Sequence, residues 1–553
     1  MTRPVYGAPV GTPAFGYRPI LLSGAYLARL RADASPQRIP ARPVRAGGRD
    51  RANRASLTAL KRNRFTLDPT IAVPAATALL ERPFKGAPDK PGALYIVSPF
   101  AAPLSDALHL TQVVRRPINA RFAGPLAASR TRVLSRKPLG AARFAQGGTR
   151  TPWDSFLGAT RVAAARRASA VASAAAFPYE LAVRRFKTAT ITRRLALGRH
   201  GPAHMVVMPD RRTVYVSKMT GQRDLFMFLA DRAGDLSSGH LYAATRGAKA
   251  TTGTSLAQPL LWRPLGRTDD RAVAAALRST RAQTQLFQVE DVAPNAPCPA
   301  DMLRAPAAML ARLQALSGTR AQAPCFALRN PKTATIAARL APSFAARLSR
   351  APRAFGSSGA LAFVARTSQL LMAAKVLPAQ FTADQQANAC GGLLALDVAA
   401  DPAIGSSYVA KRVRVLITGK ASAPLGGKRN RCAQDQIAAP VALAARAESN
   451  VVMIGEGGID GHEVDALWAF NLGTGELVRV MTLPSGANFG PLSWWADAAG
   501  RPYLLTTIAH PFGEDVAARG IEAPSDDPWQ RASQIGLLGP FAPATTRARS
   551  QTR

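Results

Sequence analysis

Leu467-Trp468-Ala469-Phe470-Asn471-Leu472, then Gly473-Thr474-Gly475, then Glu476-Leu477-Val478-Arg479-Val480, is the stretch on which the fold turns. Two short apolar runs flank a loop with two glycines, the pattern of a β-hairpin. The same texture recurs from about residue 65 onward. Ala93–Val97, Met205–Met208, Thr213–Val216 and Val451–Ile454 are short apolar runs bounded by Gly, Pro or Asp. Runs of that length between turn formers read as strands. Many short strands spread over residues 65–541 fit a propeller, because radial repetition extends a β structure without one oversized core. Two stretches read as helices instead. Val162–Phe177 is Ala-rich, and Pro306–Leu316 spaces Met309, Leu310, Leu313 and Leu316 on one helical face.

The 553 residues are 47% hydrophobic, enough for a sizeable core. Charge is the extreme property: 72 Lys and Arg against 33 Asp and Glu, a net charge of +39. Only 12 of the basic residues are Lys, leaving 60 Arg. Arginine grips phosphate with a planar fork, which a lysine point charge does not. A GC-rich genome would enrich Ala, Arg, Gly and Pro, but would not by itself deplete Asp and Glu. The balance therefore points to a polyanion, either nucleic acid or an anionic membrane surface. No run of 18 apolar residues indicates a transmembrane helix.

The basic residues are clustered. Arg42, Arg45, Arg49, Arg51, Arg54, Lys61, Arg62 and Arg64 share their stretch with a single acid, Asp50. Arg115, Arg116, Arg130, Arg132, Arg136 and Lys137 lie in the acid-free interval between Asp106 and Asp154. Arg184, Arg185, Lys187, Arg193 and Arg194 follow, near Glu180. Few aromatics are interleaved, which points to phosphate contact rather than base stacking. Ahead of Asp33 the chain is acid-free and Arg-bearing, the composition of an organelle transit peptide or of a plain basic arm. It has no secretory h-region.

Cys298, Cys325, Cys390 and Cys432 form no Cys-x-x-Cys pair. Buried reduced thiols are the default expectation, with one or two disulfides the alternative. His200 and His204 have a His-x-x-x-His spacing, but Gly201 and Pro202 between them oppose a metal-binding helix.

Six segments carry a joint pattern: Gly147-Gly148 with Thr151-Pro152-Trp153, Gly198-Arg199 with Pro209-Asp210-Arg211-Arg212-Thr213-Val214-Tyr215, and Gly234-Asp235-Leu236-Ser237 through Leu241-Tyr242-Ala243. Cys390-Gly391-Gly392, Ile454-Gly455-Glu456 with Asp465–Leu472, and His510–Glu514 continue the series. In this order they resemble the PhoX-type alkaline phosphatases, a β-propeller family. The resemblance implies a cluster of iron and calcium ions held by carboxylates and one thiolate. At those positions this chain reads Ala159-Thr160-Arg161, Pro202-Ala203, Lys218-Met219, Ser358-Gly359 and Pro440-Val441-Ala442. Glu456 survives beside Gly457, with His462 and Asp465 close in sequence. Hard cations need anionic oxygen ligands, so Arg161 and Lys218 oppose such a site by charge alone.

The expectation is an all-β chain: a six-bladed β-propeller with helical insertions and a basic extended N-terminal arm. The arm is residues 1–64, the propeller 65–541 and a short basic tail 542–553. The expected function is a non-catalytic scaffold in a ribonucleoprotein, foremost a mitochondrial ribosome, with a plastid as the alternative location. Its partners would be RNA phosphates and neighbouring proteins, with no catalytic residue, metal, cofactor or small-molecule substrate. An accessory subunit of an organellar respiratory complex facing anionic lipid is one alternative, and a phosphoesterase with an unusual metal site is another.

Overall fold

The computed structural model describes residues 16–22, 76–82, 92–100, 107–115, 125–162, 176–219, 224–247, 257–279, 286–304, 324–348, 359–422, 431–458, 462–509 and 533–541, a few single positions apart, together with Leu310, Leu313 and Gln314. The architecture is all-β and propeller-like, built from antiparallel sheets. Strand β1 (Gly16–Leu22) lies far from its neighbours in sequence. A first sheet orders β2 (Ala78–Arg82), β3 (Ala93–Pro99), β4 (Leu108–Arg115) and β5 (Leu126–Leu134). A second orders β6 (Arg143–Arg150), β7 (Phe156–Arg161), β8 (Tyr179–Arg185) and β9 (Thr188–Arg193).

The third set is β10 (Ala203–Val207), β11 (Thr213–Lys218), β12 (Leu225–Arg232), β13 (Asp235–Arg246) and β14 (Gln258–Asp269). After α1 (Asp270–Arg278) comes a small sheet of β15 (Phe287–Glu290), β16 (Leu303–Arg304) and β17 (Cys325–Leu328), then α2 (Pro331–Leu340) and α3 (Pro342–Leu348). The fourth set is β18 (Leu361–Val364), β19 (Gln369–Ala374), β20 (Gly392–Asp401) and β21 (Ser406–Thr418), joined to the third through β14 and β21. The fifth is β22 (Pro440–Ala445), β23 (Val451–Glu456), β24 (Ala466–Asn471) and β25 (Leu477–Thr482). The last contains β26 (Asn488–Phe489), β27 (Ser493–Ala496), β28 (Pro502–Ala509) and β29 (Gln534–Gly539), with β1 on its edge.

The core lies between sheets. One apolar cluster joins the first sheet to the second through Leu110, Phe144 and Tyr179. Others join second to third, third to fourth, fourth to fifth and fifth to last. The circuit closes where Leu79 and Ile96 of the first sheet meet Trp495 and Leu505 of the last. Each fully buried large apolar side chain in these layers contributes about 1.5–3 kcal/mol.

The hairpin read from sequence is β24–β25, with Phe470 opposite Leu477. The Asn471 side chain accepts from Gly473 N (2.9 Å), and Gly475 takes a positive φ of 75°. Gly147 likewise needs to be glycine: at φ 101° a Cβ would stand 1.8 Å from Ala203 O.

Four readings change or move outside the described residues. The stretch taken as an extended arm supplies a strand: β1 pairs with β29, Tyr17 opposite Leu538. Its extended backbone satisfies the free edge of β29. The cysteines are not reduced thiols but disulfides, Cys298–Cys325 and Cys390–Cys432, with Cα separations of 5.7 and 5.8 Å. The partners are 27 and 42 residues apart, so only the folded chain brings them together. Residues 163–175 of the Ala-rich stretch lie outside the described residues, as does the tail from residue 542. Of the second expected helix, Leu310, Leu313 and Gln314 are described and helical. The helices that were not foreseen, α1 to α3, share a core of Val273, Phe287, Phe326, Leu340 and Phe344. Asp269 caps α1 by accepting from Ala272 N.

Candidate functional site

Glu456 ends β23 and is fully buried. One oxygen accepts from Ala438 N (2.7 Å) and Trp468 Nε1 (2.7 Å). The other accepts from Ala466 N (2.8 Å) and faces His462 Nδ1 (3.1 Å). A carboxylate offers about four acceptor directions. All are taken by the protein, so no lone pair is left for a cation. His462 meets acceptors at both nitrogens, since Nε2 lies 3.0 Å from Ala433 O. Burial opposes its charge, but the hydrogen bond and charge of Glu456 outweigh that and raise its pKa. Asp465 receives a single bond, from Gly458 N (3.2 Å), and its other oxygen is buried without a partner. Burial, with Glu456 nearby, pushes its pKa up to about 8. The three residues that survive from the resemblance do come together, as a structural knot.

Lys218 ends β11, the second strand of the third sheet as β23 is of the fifth. Its buried ammonium donates to Ser343 Oγ of α3 at 2.7 Å. His200 donates Nε2–H to Leu197 O (2.7 Å). Burial first, then Lys218, holds its pKa down to about 3. His204 stands apart from it in β10. Arg339, fully buried, aims its guanidinium at the backbone carbonyls of Ala196 (2.6 Å), Gly239 (3.1 Å), Leu265 (3.3 Å) and Gly266 (2.9 Å). Burial brings its pKa down to about 9. This one side chain pins α2 to the third sheet. At the other positions, Ala159 is core, Thr160 donates to Phe177 O (2.7 Å), Pro202 O accepts from Met219 N, and Ala442 is buried. Ser358 lies outside the described residues.

Among the sequence-predicted basic residues, Arg42 to Arg64 and Arg116 lie outside the described residues. Arg115 is engaged internally, bonded to Glu81 and to Gly92 O. Arg130 donates to Gln112 Oε1 (2.7 Å) and sits 4.3 Å from the Phe186 ring centre. Arg132 lies 5.8 Å from the same ring. Burial lowers the pKa of Arg136, and Arg143 lowers it further. Lys137 is exposed. Phe186 as an organising residue was missed, and Arg193, read from sequence only as part of a basic run, reaches across to Pro138 O (2.8 Å). Glu180, the one acid of the region, is turned inward onto Trp153 Nε1 (2.7 Å), Ser155 Oγ and Arg194. It therefore leaves the outer surface uncompensated.

No family model matches the chain, and no curated protein does. The solved structure of PhoX from Pseudomonas fluorescens in complex with vanadate superposes with a TM-score of 0.54 at 14% identity, covering 86% of this chain and 91% of that one. The fold is PhoX-like. A 6-phosphogluconolactonase-type protein from Bacteroides uniformis (TM-score 0.28, 10% identity, 74% and 84% covered) and a GH43_1 enzyme from Xanthomonas citri (0.23, 11%, 90% and 99%) are far looser matches. Within the PhoX-like frame, the residues present do not fit an iron–calcium cluster. Among the described residues no group of three His, Cys, Asp or Glu is placed to hold a metal. Glu456 is saturated, and Lys218 is a buried ammonium bonded to Ser343.

Proposed function

We propose that this chain is a non-catalytic scaffold, a six-bladed PhoX-like propeller with helical insertions that binds RNA phosphates within a ribonucleoprotein. The observation that carries it is the charge inversion of the ligand positions. Arg161 and Lys218 stand where cation ligands are implied, on a chain with 72 basic and 33 acidic residues. A chain with that charge balance attracts phosphate and repels calcium. An organellar ribosome is the candidate assembly, with a mitochondrion, or a plastid, as the location. The two disulfides bear on that choice, because such bonds persist in oxidising compartments. Thiol alkylation of the native particle discriminates a reducing matrix from an oxidising space.

A phosphoesterase is the second reading, favoured by the PhoX-like fold. The deciding experiment is the native mass, RNA content and metal content of the endogenous particle. A large particle carrying RNA and no stoichiometric iron or calcium supports the scaffold. A free monomer holding both metals and releasing phosphate overturns it. Co-purification with lipid and no RNA assigns the charge to a membrane complex.

A further inference from the structure

Arg130, Arg132 and Leu134 are alternate residues of β5 and share one face. Leu134 packs in the core between the first and second sheets, so the two arginines continue that face outward beyond the apolar layer. Opposite them is the β8–β9 turn of the second sheet, with Arg184, Arg185 and Lys187 exposed. Phe186 sits at that turn, packed on the shared core, with both β5 guanidiniums over its ring. The rim of this inter-sheet cleft is thus lined by cations from both sides. The strands and the turn that form it carry no acid except Glu180, whose two oxygens are engaged inside.

We propose that this rim is a docking surface for the phosphate backbone of RNA, read without selection among bases. The inference rests on the RNA-binding reading above and names its contact and its mode. Three observations favour it. First, burial lowers the pKa of Arg132, and its Nε is buried with no partner. Partly desolvated guanidiniums in like-charge company gain from an anion that the chain itself does not provide. Second, Arg130 and Arg132 are roughly 6.7 Å apart along the strand, and the turn cations extend the line, so a polymer of phosphates engages more of them than a single ion does. Third, Phe186 is already committed to two guanidiniums, leaving no free aromatic platform for a base among the described residues of the rim.

The test is fluorescence anisotropy with the full chain across a salt series. The probes are polyuridylate, a mixed-sequence RNA of equal length, and phosphatidylserine vesicles. Replacing Arg130, Arg132, Arg184, Arg185 and Lys187 together by Gln is expected to lower affinity on the order of 100-fold and to flatten the log–log salt slope by about 0.7 per lost contact, equally for both RNAs. If that variant does not fold, Arg184→Gln and Lys187→Gln, both at the exposed turn, each remove about 0.7 of slope. A loss that is larger for one RNA than for the other overturns the phosphate-only mode. Unchanged RNA affinity in the charge variant overturns the rim while the broader reading stands. Absence of RNA binding by the wild type removes both, and preference for the vesicles assigns the rim to a membrane.

Discussion

At the end of β11 the chain places Lys218, and at the equivalent end of β23 it places Glu456. The two buried side chains are satisfied by opposite routes. Lys218 donates to Ser343 of α3, with His200 held neutral beside it. Glu456 is an acceptor hub for two backbone amides, an indole and an imidazole. A carboxylate in the sequence is therefore no evidence of a metal ligand. What decides is whether its lone pairs point at open space. The corners also differ in pH response. His200 has a folded pKa below its unfolded value, so its contribution is present above about pH 6.5 and is lost as pH falls toward 3. Asp465 has a raised folded pKa, so its contribution is complete below about 3.8 and is lost as pH rises through about 8.

The comparison breaks most easily at Glu456. Glu456→Ala strands several buried donors, His462 Nδ1 among them, and is expected to lower stability by about 3–5 kcal/mol in urea unfolding. A change under about 1 kcal/mol would show that the carboxylate is not the hub described. Next in size is Asp465→Asn, which mimics the protonated acid. Its stability relative to wild type should rise with pH between 4 and 8, by at most about 1.4 kcal/mol per pH unit, then level off. A gap that does not widen over that range contradicts the burial of an uncompensated carboxyl. Ser343→Ala, at the other corner, should lower stability by about 1–2 kcal/mol, because the buried ammonium of Lys218 loses an acceptor. Smallest of all is the effect of calcium. Millimolar calcium should leave the melting temperature unmoved, since a ligand that binds neither state shifts nothing, and an upward shift by calorimetry would reinstate a metal site.

Local signals made the sheets legible. Asn471 and Gly475 set the hairpin, and Asp210 sets another by accepting from Arg212 N and Thr213 N. The saturation of Glu456 was half legible, because Trp468 lies twelve positions on in the partnering strand. Its register was not readable, since Ile454 faces Trp468 only once β23 and β24 are aligned. Lys218 and Ser343 are separated by 125 positions, and Arg339 and Ala196 by 143. Contacts of that span depend on how the insertion docks, which no local periodicity encodes. The α1 signal was present in Asp269, Asp270 and the spaced Val273 and Ala276, but its short length hid it among strands.

The pairing of β1 with β29 constrains maturation. A processing cut after residue 22 would carry away the edge strand of the last sheet and leave the edge of β29 unpaired, whereas one before Gly16 would spare it.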